Sequence, residues 1–145
     1  LRVCDTPLTV ERAAALAAYL QALCRMLLQG DEAAPIEDDY LVYNYNRFQA
    51  CRFGLDGVLV HPRNHQSLPL RDDIVATLRR VAPHARVLGS QAALDELQQA
   101  ISSEGNHASF LRQQFDAAGS VQGMVAAAVT LFRKGRIRPG FRDSI

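Results

Sequence analysis

Two arginines in the middle of the chain stand among aromatic, amide and small side chains, within the stretch NYNRFQACRFGLDG from Asn44 to Gly57. They are Arg47 and Arg52. A guanidinium group presents its donors in a planar fork that matches a carboxylate or a phosphate through two hydrogen bonds. If a helix places aromatic rings along the arginine stems, only the charged heads remain exposed. The stretch indicates an anion site, and pairing of either arginine with Asp5 or Asp56 is the structural alternative.

A second pair of candidates lies at the start of the chain, where Leu1–Cys4 has the composition of a β-strand. In a strand, Arg2 shares a face with Cys4, and Asp5 follows at the strand's end. An arginine inside an apolar strand needs a partner or a solvated cleft, because burying it unpaired is costly. Arg2 is therefore a candidate anion contact. Asp5 is a site residue or, alternatively, a helix cap or a salt-bridge partner.

No pattern in the sequence is typical of a metal site or of a phosphate-binding loop. His61 and His65 are four residues apart, but Pro62 predicts a turn between them, so the rings would not share a helix face. We expect structural or surface roles for all four histidines. The three cysteines form no CxxC pair, which predicts reduced thiols rather than a disulfide or a metal site.

Composition predicts one soluble domain of 145 residues with an ordinary core, since 48% of the residues are hydrophobic and 21% are charged. A net charge of +1 favours neither nucleic acid nor an anionic membrane as a partner. We assign residues 1–132 to this domain and residues 133–145 to a basic, mobile tail. Binding of nucleic acid through the tail is a disfavoured alternative.

Hydrophobic periodicity predicts six helices and one β-hairpin. A lone strand at Leu1–Cys4 would lack a partner, so we also expect the chain to be part of a longer protein. The predicted helices, with their caps and inward residues, are as follows: Thr9 to Leu28 with a broad apolar face and a stop at Gly30; Asp38 or Asp39 to about Phe53, ended by Gly54; Leu70 to Val81, ended before Pro83; a Ser90-capped helix burying Leu94, Leu97 and Ile101; a helix from Asn106 or His107 with Phe110, Leu111 and Phe115 inward; and a Ser120-capped helix through Phe132. The hairpin pairs Val58–Val60 with Gln66–Leu68 across a turn at Pro62–Asn64.

Several stretches, in order, resemble the C-terminal part of the carboxylate–amine ligases of the type 2 glutamate–cysteine ligase family. They are RVCDTPLTVERAAALAAYLQALCRML, NRFQACRFGLDGVLV, PLRDDIVATLRRVAPHA and GNHASFLRQQF, and together they extend to about Phe132. The resemblance implies an α+β, glutamine-synthetase-like catalytic fold with a curved antiparallel sheet and helices on its outer side. This chain would be the mostly helical C-terminal part of that fold, with a terminal sheet strand and a small β-hairpin.

The resemblance also implies an activity, namely ATP-dependent ligation in which a glutamate γ-carboxylate is activated as an acyl phosphate and joined to an amine. ATP and Mg²⁺ would be the cofactors, with the metal ligands in an N-terminal portion that this chain lacks, so we expect the chain to be inactive alone. A non-catalytic helical interaction or regulatory module that keeps the scaffold is the alternative. The expected location is the cytoplasm.

By the same resemblance, Arg2 is the candidate catalytic residue, meeting the phosphoryl or carboxylate group. Asn46, Arg47 and Arg52 would bind substrate or ATP or, alternatively, fix the junction between sheet and helix, and Asp5 would orient Arg2 or a nearby loop. The expected partners are the small-molecule substrates and the absent N-terminal portion, with neither nucleic acid nor membrane; assembly as a homo-oligomer is compatible with this interpretation.

Overall fold

A computed structural model describes residues 7–30, 37–102 and 107–134, although not the side chains of residues 37 and 38. In this part of the chain the elements are α1 (Val10–Gln29), α2 (Glu37–Phe53), a 3₁₀ turn (Gly54–Asp56), β1 (Val58–Val60), β2 (Ser67–Pro69), α3 (Leu70–Val87), α4 (Gln91–Ser102), α5 (His107–Ala118) and α6 (Val121–Lys134). The six predicted helices and the hairpin are thus confirmed. The predicted strand Leu1–Cys4 lies outside the described residues. The predicted tail begins at residue 133, but Arg133 and Lys134 belong to α6, and the rest of the tail lies outside the described residues.

The chain divides into two compact units, and the division falls within α1. One unit joins Leu1–Leu20 to Ala92–Ile145, and the other is Gln21–Gln91. The first therefore holds α5, α6 and most of α4, and the second holds α2, the hairpin and α3. Each unit is described by itself below.

The hairpin of the second unit is antiparallel, with Val58 opposite Pro69, Leu59 opposite Leu68 and Val60 opposite Ser67. The second strand begins and ends one residue later than predicted. The His61 ring closes the turn, because its Nδ1 accepts the backbone N–H groups of Arg63 at 3.2 Å and Asn64 at 3.4 Å. This contact gives His61 the structural role that the sequence indicated.

The end of α3 corrects one prediction, since the helix does not stop before Pro83 but continues to Val87. Proline inside a helix lacks the N–H that would bond one turn back. Val81 and Ala85, two positions before and two positions after it, are both fully buried. We attribute the continuation to this packing, which outweighs the loss of one hydrogen bond.

Two of the predicted caps are confirmed and two are not. The hydroxyl of Thr9 accepts the N–H of Arg12, and the hydroxyl of Ser120 accepts the N–H of Gly123, each at 3.2 Å. Ser90 precedes α4 as expected, but its hydroxyl donates to the carbonyl of Ala85 in the previous helix. The helix α2 begins at Glu37, so neither Asp38 nor Asp39 is its cap.

The buried faces are predicted well only for helices of mixed composition. Leu94, Leu97 and Ile101 are all buried in α4, as expected. Along α1 the predicted face is wrong: Val10, Leu27 and Leu28 are exposed, and the buried residues are Ala15 and Ala22. Phe115 of α5 is exposed rather than inward. Four apolar residues of α6 are also exposed, namely Val121, Val125, Val129 and Phe132. In α1 and α6, alanine and larger apolar residues lie on most sides of the helix, so periodicity alone does not select the face that is buried; this reason does not apply to Phe115 in the mixed helix α5.

A close approach between α5 and α6 requires glycine at position 123. A Cβ atom added to Gly123 would overlap the Cβ of Ala118 and would lie 3.2 Å from the Ser120 hydroxyl. The two helices meet here because only Gly119 and Ser120 connect them, with Gly119 at a φ of +60°.

We expect Gly123→Ala to lower the free energy of unfolding of this unit by about 1–2 kcal/mol, because overpacking exceeds the helix-propensity gain of about 1 kcal/mol. Urea denaturation monitored by circular dichroism measures the change. The matched control is Gln122→Ala, at an exposed position of the same helix turn. A more stable Gly123→Ala protein would contradict the close approach.

Candidate functional site

The helix α2 carries three of the five candidate site residues, and one of them fastens the helix to the hairpin. The side-chain amide of Asn46 accepts the N–H of Val60 through Oδ1 and donates to the carbonyl of Val60 through Nδ2, each at 2.8 Å. Both ends of the amide are therefore engaged with the backbone of a single residue. Asn46 holds α2 at a fixed register against β1.

Further contacts from the same side of α2 repeat this connection along the helix. One turn after Asn46, Gln49 Oε1 accepts the N–H of Val58 at 3.4 Å. Two turns before it, Asp39 forms an ion pair with Arg63 of the hairpin turn, at 3.3 Å between Oδ2 and Nη2. The helix and the hairpin are thus joined at three levels within their unit.

Arg47 and Arg52 are both exposed on α2. Neither makes an ion pair or a side-chain hydrogen bond to any residue that the structure describes. Five helical positions separate them by about 140° around the axis, so they leave the helix on different flanks. Arg47 lies on the flank with Asn44, and Arg52 on the flank with Phe48. The helix presents two separate guanidinium groups rather than one paired clamp.

The alternative prediction was that Arg47 or Arg52 forms an ion pair with Asp5 or Asp56. For Asp56 it is wrong, because Asp56 Oδ1 pairs with Arg71 Nη2 at 3.4 Å. The other partner considered, Asp5, lies outside the described residues. A second correction concerns the rings beside the arginines, which are not buried: Tyr45 and Phe48 are 45% and 59% exposed. In the described chain the arginine stems therefore have no buried aromatic face beside them.

Arg2 and Asp5 lie outside the described residues, but the chain just after them is anchored. The backbone N–H of Leu8 donates to Nδ1 of His107, at the first position of α5, at 3.2 Å. This bond requires an unprotonated Nδ1. Burial, and then the Arg12 guanidinium, lower the pKa of His107 below its ordinary value.

This contact predicts a pH dependence of stability. The unfolded chain takes up a proton on histidine near pH 6.5, whereas the folded chain does so at lower pH. Protons therefore favour the unfolded state, and stability falls as pH drops from about 6.5 through the lowered pKa. We expect His107→Asn to reduce this loss, because Asn Oδ1 can accept the same N–H without titrating. Thermal unfolding between pH 7.5 and 5 measures this loss of stability. Equal slopes of Tm against pH for the two proteins would contradict the assignment of the loss to His107.

Among the residues that the structure describes, the remaining cysteine, histidine and acidic side chains form no metal-binding group. Cys24 and Cys51 are free thiols, as predicted, and Cys4 lies outside the described residues. Across residues 7–30, 37–102 and 107–134, no three His, Cys, Asp or Glu side chains are grouped so that they could hold a metal ion. No helix in the described part of the chain combines the length and apolarity needed to cross a membrane.

A role at the junction between helix and sheet was one of two roles expected for Asn46, but its partner was not identified from the sequence, although a signal existed. Asparagine is a poor residue for a helix interior because its amide competes for backbone groups. An asparagine at the middle of a helix, followed by a hairpin, is therefore expected to have a backbone partner outside the helix. The partner, Val60, is fourteen residues away, which is beyond the reach of local pattern rules.

Comparison with known proteins identifies relatives over most of the chain. The sequence model described as glutamate–cysteine ligase family 2 matches residues 1–129. The protein named "Putative glutamate--cysteine ligase 2-2" of Legionella pneumophila (strain Corby) is 54% identical over 136 residues, which are 94% of this chain and 36% of that protein. The protein named "Putative glutamate--cysteine ligase 2" of Methylibium petroleiphilum is 52% identical over 128 residues, covering 88% and 34%. The chain thus spans about a third of the length of these curated relatives.

Proposed function

Because the chain belongs to glutamate–cysteine ligase family 2, we propose that the full-length protein is an ATP-dependent carboxylate–amine ligase of the glutamate–cysteine type. The observation that carries this proposal is the match over residues 1–129, supported by 54% identity to a relative named for that activity. We also propose that the full-length fold is glutamine-synthetase-like. The mostly helical chain with its two-stranded antiparallel hairpin is compatible with a part of such a fold.

The reaction joins a carboxylate to an amine in two displacements. An oxygen of the glutamate γ-carboxylate attacks the γ-phosphorus of ATP, and ADP leaves, giving an acyl phosphate. The amine nitrogen then attacks the acyl carbon, the C–O bond to phosphate breaks, and the nitrogen loses a proton as the amide forms. ATP supplies the phosphoryl group that turns a carboxylate oxygen into a leaving group.

The arginines of this chain supply fixed positive charge for these steps. Two or more anions must approach one another before phosphoryl transfer, and preorganised donors stabilise that arrangement. We assign Arg2 to the phosphoryl or carboxylate group and Arg47 and Arg52 to binding of substrate or ATP. The assignment of Arg47 and Arg52 is supported because both side chains are exposed and make no ion pair within the described residues. We assign Asp5 to orienting Arg2 or a nearby loop.

Asn46 takes a positioning role in this proposal. Both ends of its amide already bond to Val60 at 2.8 Å. It therefore holds the neighbouring Arg47 in place through the helix more readily than it binds a ligand itself.

Of the two implied cofactors, the described residues suit ATP but not Mg²⁺. An exposed guanidinium that lacks an acidic partner suits the phosphates of ATP. The described residues do not fit Mg²⁺, because they hold no group of carboxylates or histidines that could coordinate it. The metal ligands are therefore proposed to lie elsewhere in the full-length protein, and no step is assigned to a metal here.

The test is an assay of the full-length protein for release of ADP with glutamate, ATP, Mg²⁺ and a panel of amines that includes cysteine. Hydroxylamine added in place of the amine should trap the acyl phosphate as the γ-hydroxamate. We expect hydroxamate only when glutamate and ATP are both present, and none from the 145-residue chain alone. A full-length protein that binds neither ATP nor glutamate would contradict the proposal.

A second candidate function is a non-catalytic interaction module that has kept the ligase scaffold. The observation that favours it is the number of large apolar side chains exposed on α2 and α6, where a partner could dock. The same assay separates the two functions, because a scaffold protein would form no hydroxamate with any amine in the panel.

A further inference from the structure

We infer that one face of α2 is a docking surface for another part of the full-length ligase polypeptide; this rests on the proposed function. The face consists of Leu41, Tyr45, Phe48 and Arg52, and we call it the outer face of α2. These residues are spaced four, three and four apart, which aligns them along one side of a helix. The three apolar members are 69%, 45% and 59% exposed.

Another side of α2 already contacts the hairpin, so the orientation of the helix in its unit is fixed while the outer face remains exposed. Asn46 and Gln49 bond to the backbone of β1, and Asp39 pairs with Arg63 in the hairpin turn. Turning the outer face inward would break these contacts. Within its own unit, α2 therefore holds its largest apolar side chains in water.

The composition of the outer face is that of an interface centre. Between Tyr40 and Phe53 the sequence has no lysine and no glutamate, but it has aromatic residues and two arginines. Protein interfaces are enriched in aromatic residues and arginine, and they are depleted in lysine and glutamate. The rings are also ordered in place: Tyr45 OH accepts a hydrogen bond from Gln49, and Phe48 packs edge-on against Phe53. A preformed surface of this kind loses little side-chain freedom on binding.

The occupant we assign is the ligase polypeptide that the curated relatives have in addition to the matched region. This chain covers only 36% and 34% of two such relatives, so most of their length lies outside the match. A segment in the same polypeptide has a high effective concentration, which a second copy of the chain lacks. The segment is expected to carry an apolar strip that covers Leu41, Tyr45 and Phe48, while the Arg52 guanidinium at the end of the face is left for the substrate or ATP assigned to it above.

Hydroxyl-radical footprinting tests this assignment directly. It is carried out on the 145-residue chain and on a full-length ligase that contains it. We expect oxidation of Tyr45 and Phe48 to fall at least about fivefold in the full-length protein, as expected for side chains at the desolvated centre of an interface. Val87, which is 67% exposed at the end of α3, lies outside α2 and has a reactive aliphatic side chain, so the peptide that contains it serves as the internal reference. Equal oxidation of Tyr45 and Phe48 in the two proteins would overturn the inference.

A variant set tests whether the outer face contributes to binding. The 145-residue chain is co-expressed with the remaining ligase polypeptide, and Phe48→Glu is expected to weaken their association at least about tenfold. The new carboxylate lies one turn before Arg52, an arrangement that supports the helix, and circular dichroism of the chain alone verifies folding. Phe48→Leu should restore most of the binding. The matched control is Leu28→Glu, at an 87% exposed position of α1, which we expect to bind like the unaltered chain.

Two results would contradict the assigned occupant. The first is unchanged association of a folded Phe48→Glu chain. The second is a dimer of the 145-residue chain that sedimentation detects and Phe48→Glu abolishes, since this would give the face to a second copy. Association is measured without ATP or glutamate, so an inactive complex would count against the proposed function and leave this inference standing.

Discussion

Replacing Asn46 with alanine is expected to lower the free energy of unfolding of the unit Gln21–Gln91 by about 2–3 kcal/mol. The substitution removes two hydrogen bonds of 2.8 Å to Val60. It also leaves the N–H and the carbonyl of Val60 without these partners in a part-buried position. Each such bond contributes about 1 kcal/mol, and leaving a buried group unsatisfied adds to the loss.

The measurement is urea unfolding of the 145-residue chain, followed by circular dichroism and by tyrosine fluorescence. Asn44→Ala is the matched control, because Asn44 is exposed on the same helix and the same residue types are exchanged. Asn46→Asp should give an intermediate result, since a carboxylate can accept from the Val60 N–H but cannot donate to its carbonyl. Equal stability of the two alanine variants would show that the link to Val60 contributes nothing.

Replacing Arg2 with lysine in the full-length ligase is expected to lower kcat about a hundredfold and leave the fold intact. Lysine keeps the charge but loses the planar fork that binds an anionic group through two hydrogen bonds. If that contact forms mainly in the transition state, KM for glutamate should change much less than kcat. The measurements are steady-state ADP release and thermal unfolding of the same preparations.

Arg47→Ala provides the comparison, because it tests an arginine that the structure describes. An exposed Arg47 without an ion pair predicts an unchanged Tm, with a loss of ligase activity through a higher KM. A variant that fails to fold would instead assign Arg47 a structural role. Normal turnover of Arg2→Lys would remove Arg2 from the site, whatever the result for Arg47.

The positions of the helices and the hairpin followed from local physics, whereas the faces they bury did not. Thr9 and Ser120 satisfy the first amides of their helices, and the hydrophobic spacing of α4 selects one side, so both features are visible over a few residues. In α1, alanine and leucine surround the axis, and burial of Ala15 and Ala22 depends on what packs there. At Pro83 the sequence gives a local signal to end the helix, but the packing of the buried residues Val81 and Ala85 overrides this signal.

For the candidate site, too, the residue types could be recognised from the sequence, whereas the contacts between distant residues could not. Residue type alone was enough to single out Arg47 and Arg52, because exposed arginines among aromatic residues are unusual on a purely solvated surface. It could not show that Asp56 pairs with Arg71, fifteen residues along the chain. Nor could it show that Asn46 bonds to Val60, since both contacts depend on how the hairpin folds back.

The amide contacts of α2 have a consequence for how the hairpin could join a larger sheet. Along the edge of β1 that faces away from β2, Asn46 occupies both backbone groups of Val60, and Gln49 occupies the N–H of Val58. On β2, Pro69 has no N–H to offer a neighbour. The outer edge of β1 is therefore blocked against strand addition, the usual route to intermolecular β-aggregation, and the outer edge of β2 lacks one donor. Any wider sheet that includes this hairpin in the full-length protein is therefore expected to extend from β2 and not from β1.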